Sequence, residues 1–168
     1  AKFYRPGRWS AAQIEEEHAF AHELMAGEVP VVGPLLIDGR TLHSYNGFLF
    51  SVSPRRGGRT PELSDDETLE WIGRFIARLH TVGARRGFAH RPAVDVAGYG
   101  VEPREWLLSH GALPLEVERA WADVSQQAID CIAASAFWAS AGSQNPSDSD
   151  RIATLRLHAD CHPGNILW

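Results

Sequence analysis

The sequence has few cysteines, no net positive charge and no long apolar run, and each of these absences excludes a class of protein. Two cysteines in 168 residues are too few for a disulfide framework, which favours a reducing, cytoplasmic setting. No stretch of about 18 consecutive apolar residues occurs, so we expect no membrane-spanning helix. A formal net charge of −5 provides no overall basic field for nucleic acid or an anionic membrane surface.

The beginning of the chain predicts a strand followed by a helix. The segment "AKFY" has the composition of a strand, and "RPG" ends it. Ser10 and Gln13 have the spacing of a capping box, so a helix should begin there. Gly27 and Pro30 predict its end. One face of this helix is apolar except for a single glutamate; its residues are Ile14, Glu17, Ala21 and Leu24.

Residues 31 to 54 predict β structure with two tight turns. Asp38-Gly39 and Asn46-Gly47 are dipeptides that favour hairpin turns, and each stands between apolar or aromatic residues. A segment rich in glycine, proline and arginine, "PRRGGR", follows and is typical of a boundary between two lobes.

The remainder of the chain predicts helices. Ser64 and Glu67 have the spacing of a second capping box, and the apolar periodicity after them indicates an amphipathic helix to about Val82. Two further helices are predicted at residues 102 to 110 and 114 to 138.

The order of these elements predicts an α+β fold with two lobes. Residues 139 to 150 have the polar composition of a linker, and "ATLRL" at 153 to 157 predicts a short strand. We therefore divide the chain into a small antiparallel-sheet lobe at residues 1–54 and a mainly helical lobe at residues 55–168. A cleft between two lobes is a favoured place for a ligand.

The last residues, "LRLHADCHPGNILW", combine the groups that phosphoryl transfer needs. A carboxylate must orient or deprotonate the attacking hydroxyl, and an oxygen ligand for Mg²⁺ must lie near it. Asp160 and Asn165 stand five residues apart in one loop, and Gly164 lets that loop bend back. The reaction also needs a cation on the phosphates. Lys2, the one lysine of the sequence, lies on the first predicted strand.

These residues resemble a known family. "HADCHPGNILW" is similar to the catalytic loop of the aminoglycoside phosphotransferase and choline kinase-like superfamily, whose general form is H-G-D-x-H-x-x-N. Together with "KFYRPGRWSAAQIEEEH" and "VEPREWL", it resembles the bacterial stress response kinase A family. The resemblance implies a truncated two-lobe protein-kinase-like fold and an ATP- and Mg²⁺-dependent kinase. It also implies that the phosphoryl acceptor is a protein serine or threonine.

The resemblance assigns roles to four residues that match the family's motifs. Asp160 matches the residue that accepts the proton of the acceptor hydroxyl, and Asn165 matches a Mg²⁺ ligand. Lys2 matches the lysine that contacts the α and β phosphates. Glu17 is then the helix partner that fixes this lysine.

Other matches concern the nucleotide base and the loop itself. Phe50 to Pro54 would form the hinge against which adenine stacks, with Ser51 and Val52 nearest to it. His158 would hold the backbone of the catalytic loop, and we assign His162 the same loop-structuring role.

The sequence departs from the family's pattern in two ways. Ala159 stands where the superfamily usually has glycine, which strains the loop if that residue needs a positive φ. The family also has a second metal-binding aspartate about ten residues beyond the asparagine, and the sequence stops three residues beyond Asn165. We therefore interpret the chain as a fragment lacking both ends and expect it to be inactive by itself.

Three other functions stay open. A small-molecule kinase of the aminoglycoside or choline kinase type would use the same catalytic residues on another hydroxyl. His158, Asp160, Cys161 and His162 all carry metal-ligand atoms, so "HADCH" could belong to a zinc hydrolase. A kinase-like module that binds without catalysis is the third alternative.

Overall fold

The computed structural model describes residues 1–135 and 154–168, and these fall into two compact units. The first unit comprises Ala1–Arg91 with Thr154–Trp168. The second is Pro92–Ala153, of which residues 92–135 are described. The linker predicted at 139–150 lies outside the described residues, and the boundary at residue 54 stays a prediction.

The first unit contains a three-stranded antiparallel sheet. Its strands are β1, Lys2–Phe3, β2, His43–Tyr45, and β3, Phe48–Ser51, in the order β1-β3-β2. Lys2 pairs with Ser51 across the β1–β3 ladder. This sheet and the helices described below confirm the predicted α+β class.

Both predicted tight turns are present, but strand covers less of residues 31–54 than we predicted. Asn46 and Gly47 have φ values of 48° and 80° and connect β2 to β3, and Asp38 and Gly39 also have positive φ. Residues 31–36 form no strand. Pro34 has no N–H to donate to a neighbouring strand. This segment instead makes a backbone hydrogen bond to the residue that follows β3, from Leu35 N–H to the carbonyl of Val52.

Helix α1, Ala11–Ala26, begins at the predicted capping box. Ser10 Oγ accepts from Gln13 N–H at 3.2 Å, and Gln13 Oε1 accepts from Ser10 N–H at 2.9 Å. Two of the four residues of the predicted apolar face, Ile14 and Leu24, are buried. The other buried residues of the helix are His18 and Phe20.

Helix α2, Asp66–Gly83, is present, but its predicted capping box is wrong by one residue. Asp65, and not Ser64, is the N-cap, and its carboxylate accepts from Thr68 N–H at 3.0 Å and Thr68 Oγ1 at 2.7 Å. The hydrogen bonds from Thr68 lower the pKa of Asp65. A carboxylate at the N-terminus of a helix also interacts favourably with the helix dipole, which explains the preference for aspartate over the neighbouring serine.

A buried apolar cluster joins α1 to α2. It consists of Phe20, Leu24, Val29, Leu79 and Val82. The predicted strand at 153–157 is not formed by its described residues, 154–157. That segment instead packs on the end of α2, where Arg156 N–H donates to the carbonyl of Gly83 at 3.3 Å. A Cβ on Gly83 would stand 2.3 Å from the carbonyl oxygen of Arg156, so only glycine allows this approach.

The second unit contains two described α-helices, α3, Glu102–Ser109, and α4, Leu115–Ala133. A single π-helical turn, Ala97–Val101, precedes α3. Arg104 joins the helices by donating to Ser125 Oγ at 3.1 Å and to the carbonyl of Ala122 at 3.0 Å. Helix α3 begins where we predicted and ends one residue before the predicted 110. Helix α4 begins one residue after the predicted 114 and ends at Ala133, short of the predicted 138.

Within the described part of the chain, no helix combines the length and the apolar composition that crossing a bilayer would require.

Candidate active site

The loop from His158 to Asn165 is held by its own polar side chains. Asn165 Nδ2 donates to the Asp160 carboxylate at 2.9 Å and to the Asp160 carbonyl at 2.9 Å. His158 Nδ1 accepts from Asp160 N–H at 3.3 Å, and His162 Nδ1 accepts from Gly164 N–H at 3.1 Å. The loop ends in a short 3-10 turn, Pro163–Asn165. The structure therefore brings the four predicted loop residues together.

The hydrogen bonds of Asn165 fix which way its amide points. A carboxylate oxygen and a backbone carbonyl can only accept, so the group that faces Asp160 must be the NH₂. The amide oxygen, Oδ1, then faces away from Asp160. This is the atom that a hard cation such as Mg²⁺ would bind.

The carboxylate of Asp160 is accessible. Its side chain is 76% exposed, and His162 Nε2 stands 3.8 Å from Oδ1. One oxygen, Oδ2, is thus engaged with Asn165, and the other faces His162 and solvent. A hydroxyl-bearing molecule could reach this second oxygen.

Ala159 has a φ of 63°. Left-handed backbone costs a residue with a Cβ roughly 1 kcal/mol or more. The condition under which the sequence predicted strain is therefore met, one residue before the candidate proton acceptor.

The start of the loop lies against α2. Seven residues surround a recess of about 240 Å³, namely Ile76, Leu79, His80, Leu157, His158, Ala159 and Cys161. The aliphatic side chains of this lining lie between the loop and α2, the helix that contributes Leu79 to the core.

Lys2 and Glu17 form an ion pair. Lys2 Nζ stands 3.5 Å from Glu17 Oε1, with the lysine side chain 62% exposed and the glutamate 41% exposed. Lys2 Nζ also lies 5.0 Å from the centre of the Tyr4 ring. We predicted that Glu17 faces inward, but its side chain is only partly buried, at the edge of the buried face of α1.

Ser51 and Val52 stand beside Lys2 but present little side-chain polarity to a ligand. Ser51 is buried, and its hydroxyl shares a 3.1 Å hydrogen bond with Tyr4 Oη. Tyr4 Oη in turn lies 2.8 Å from His18 Nε2. The Val52 carbonyl accepts from Leu35 N–H at 2.7 Å. Any contact of Ser51 with adenine would therefore come from its backbone.

Burial lowers the pKa of His18, although the Glu17 carboxylate opposes this effect. The neutral imidazole can accept at one nitrogen and donate at the other, and its second nitrogen lies 2.9 Å from Thr41 Oγ1. This network fixes the inner side of the strand that carries Ser51.

Sequence reasoning missed the residue that anchors the loop to the body of the unit. Arg156 is 3% exposed, donates to Glu23 Oε2 at 2.6 Å and to the Val82 carbonyl at 3.2 Å, and lies 4.2 Å from the Phe20 ring centre. Its hydrogen bond to Glu23, followed by that of Arg86, lowers the pKa of Glu23 to about 2 despite partial burial. The one available signal was an arginine between two leucines in "TLRLH".

Glu16 is a second residue whose contact the sequence did not show. Its carboxylate accepts from His90 N–H at 2.9 Å, from Arg91 N–H at 2.8 Å and from Ala89 N–H. Partial desolvation raises the pKa of Glu16, but these backbone hydrogen bonds outweigh it and the net shift is downward. The carboxylate thereby fixes the loop that follows α2.

The predicted site residues form two groups. One is the catalytic loop, and the other comprises Lys2, Glu17, Ser51 and Val52. Among residues 1–135 and 154–168, no hydrogen bond or ion pair joins the two groups. Over the same residues, no three histidine, cysteine, aspartate or glutamate side chains converge in a metal-binding arrangement. The roles assigned to these residues stay predictions.

Comparison with known proteins places these features in a family. The whole chain, residues 1–168, matches the family described as "Phosphotransferase enzyme family". The chain is 39% identical over 167 residues to "Stress response kinase A" of Escherichia coli strain K12, and equally so to the protein of that name in Shigella flexneri. It is 40% identical over 167 residues to "Serine/threonine protein kinase RdoA" of Salmonella typhimurium strain LT2.

These alignments cover 99% of this chain and 47% of each relative. The chain thus spans about half the length of the curated relatives it matches. Because the match covers the sheet, the helices and the Asp160–Asn165 loop alike, the chain belongs to the phosphotransferase enzyme family.

Proposed function

We propose that the protein carrying this chain transfers the γ-phosphoryl group of ATP, with Mg²⁺, to the hydroxyl of a protein serine or threonine. Membership of the phosphotransferase family supports the reaction class. The relative named stress response kinase A supports a kinase, and the one named as a serine/threonine protein kinase supports the acceptor.

The observation that carries the proposal is the contact between Asp160 and Asn165. Phosphoryl transfer is mostly positioning and charge stabilisation, so the catalytic groups must be ordered before substrate arrives. Asn165 holds one carboxylate oxygen of Asp160 at 2.9 Å, and the other oxygen stays accessible. That second oxygen accepts the proton of the acceptor hydroxyl as the phosphoryl group leaves ATP.

The same contact presents Asn165 Oδ1 as a metal ligand. Mg²⁺ prefers oxygen donors, and a neutral amide oxygen fits that preference but is a weak site without a carboxylate. When bound, Mg²⁺ would supply the positive charge that offsets the negative charge developing during transfer. Asn165 would hold it through Oδ1 as one of its oxygen ligands.

Lys2, Ser51 and Val52 form the nucleotide side of the proposal. Lys2 contacts the α and β phosphates and is held by Glu17 at 3.5 Å. Lys2 pairs with Ser51 across the β1–β3 ladder, which supports a nucleotide site formed by the lysine and the hinge at Phe50 to Pro54. The residue that would contact the phosphates and one of those that would contact adenine, Ser51, therefore belong to the same sheet.

The experiment is a comparison of full-length protein with its Asp160→Asn variant. Loss of the base should lower kcat by about 10³-fold while ATP binding is retained. Asp66→Asn, an exposed aspartate in the first turn of α2, is the matched control and should leave turnover unchanged. Near-normal turnover by Asp160→Asn would remove Asp160 from the mechanism.

The acceptor is tested in the same assay with labelled ATP. Transfer of label to serine or threonine of protein substrates supports the proposal. Transfer to an aminoglycoside or to choline, with no label on protein, would assign the chain to small-molecule kinases. Binding of ATP without transfer to either would indicate a non-catalytic module, and stoichiometric zinc with no Mg²⁺-dependent transfer would indicate a hydrolase.

A further inference from the structure

We propose that Arg91 is a positioning residue for the nucleotide-binding lysine, acting through Glu17. This inference rests on the proposed function, since it concerns how Lys2 is aimed at ATP. Arg91 Nη1 donates to Glu17 Oε2 at 2.7 Å, and Lys2 Nζ lies 3.5 Å from the other oxygen, Oε1. The carboxylate therefore joins the two cations through different atoms.

The two oxygens are not held equally. The arginine contact is short and its side chain is 20% exposed, whereas the lysine side chain is 62% exposed. Exposed ion pairs of lysine are weak because the flexible side chain loses entropy and water competes. Lys2 cannot orient Glu17 by itself, so the orientation of the carboxylate has to come from Arg91.

Arg91 is itself fixed on three sides. Its guanidinium lies 4.6 Å from the Trp9 ring centre and 6.0 Å from that of Phe88. Nη1 also approaches the carbonyl of Gln13 at 3.4 Å. The planar guanidinium loses little further freedom on binding a carboxylate, which is why a preorganised arginine suits this role.

The backbone of the same loop is bound to α1. Glu16 accepts the N–H groups of residues 89–91, and Gln13 Nε2 donates to the carbonyl of His90 at 3.1 Å. Arg91 thus extends from a loop that is bound to the helix carrying Glu17. Loop, helix and lysine form one continuous chain of contacts that ends at Lys2 Nζ.

A double-mutant cycle in the full-length protein tests the proposal. Arg91→Gln should lower kcat/KM for ATP by about tenfold, chiefly through a higher KM, because a misplaced lysine weakens phosphate binding. Arg91→Lys should recover only part of this loss, since lysine keeps the charge but not the flat, stacked geometry. In a Glu17→Gln background, Arg91→Gln should change kcat/KM by less than about twofold, because its target is already altered.

Arg74→Gln is the matched control. Arg74 also pairs with a glutamate, Glu70, and lies 5.1 Å from a tryptophan ring centre, but on the exposed surface of α2. It should leave KM for ATP unchanged. Thermal unfolding of every variant, with activity normalised to the folded fraction, separates a loss of fold from a loss of positioning.

The outcomes are distinct. The role of Arg91 is overturned if Arg91→Gln leaves KM for ATP unchanged, or if it lowers kcat/KM by the same factor in the wild-type and Glu17→Gln backgrounds. In either case, turnover by the wild-type protein still supports the proposed function. Wild-type protein without Mg²⁺-dependent ATP turnover overturns the proposed function, and the role of Arg91 with it.

Discussion

Glu17 and Glu23 lie six residues apart on α1, and each carboxylate contacts two cationic side chains. The partners of Glu17 are Lys2, 62% exposed, and Arg91, 20% exposed. One partner of Glu23 is Arg156, whose side chain is 2% exposed. The pair that is most open to solvent is therefore Lys2–Glu17, and the most enclosed is Arg156–Glu23.

The difference lies in how much each cationic side chain depends on its carboxylate partner. A buried guanidinium depends on its carboxylate, and Arg156 Nε already has no hydrogen-bond partner among the described residues. Lys2 can leave Glu17 at little cost because water replaces the contact. We call Glu23 the anchor, because it fixes the segment that leads into the loop from His158 to Asn165. We call Glu17 the guide, because it contacts the lysine that we propose binds the nucleotide.

The largest change in stability should come from breaking the ion pair between Glu23 and Arg156. Glu23→Gln leaves the buried Arg156 without a counter-charge, and we expect the free energy of unfolding to fall by about 3 kcal/mol. Urea denaturation of the purified protein measures this loss. The control is Glu70→Gln, which removes an exposed pair with Arg74 and should change stability by less than about 0.5 kcal/mol. Equal effects of the two variants would contradict the anchor role.

Acid should remove the same stabilisation. The pKa of Glu23 falls from 4.5 to about 2 in the folded protein, so its contribution is fully present above about pH 4.5 and is lost as pH falls towards about 2. Allowing for solvent screening at a side chain that is 27% exposed, we expect about 2 kcal/mol from this group. The stability difference between wild type and Glu23→Gln should narrow over that range. A difference that stays constant would show that Glu23 does not titrate in this way.

Substitution of Glu17, the guide, should affect activity more than stability. In the full-length protein, Glu17→Gln should lower kcat/KM for ATP by about tenfold, because Lys2 loses its charged partner. The free energy of unfolding should change by about 1 kcal/mol or less, since the carboxylate is 41% exposed. Steady-state kinetics and urea denaturation of the same preparation test both halves. A large stability loss with unchanged kinetics would reverse the distinction between the two glutamates.

The elements that sequence predicted correctly are those fixed by near neighbours. Ser10 and Gln13 cap α1 with their own side chains, and Asn46-Gly47 adopts the positive φ values that its turn needs. The Asp160–Asn165 contact is also local, because five residues separate the two side chains. Spacing along the chain therefore predicted the cap and the turn, and it placed Asp160 and Asn165 in one loop without predicting their hydrogen bond.

The anchors could not be predicted in this way. Glu23 and Arg156 are 133 residues apart, and Glu16 meets the loop at 89–91 across 73 to 75 residues. Nothing in the local pattern of α1 distinguishes these glutamates from solvated ones. The strand predicted at 153–157 failed for a related reason, because in the described residues Arg156 turns its backbone to the end of α2 and not to a neighbouring strand.

The anchor also explains how the loop can hold an unfavourable residue. Arg156 stands three residues before Ala159, whose φ is 63°. Ala159→Gly removes a cost of roughly 1 to 2 kcal/mol in the folded state, and glycine gives back about 0.4 to 1 kcal/mol through a freer unfolded chain. We expect a net stabilisation of about 0.5 kcal/mol. Ala84→Gly is the matched control, because Ala84 is also exposed but has a right-handed φ of −73°, so the same substitution should destabilise it. Urea denaturation of the two variants should therefore give changes of opposite sign, and a loss of stability in both would show that Ala159 carries no strain.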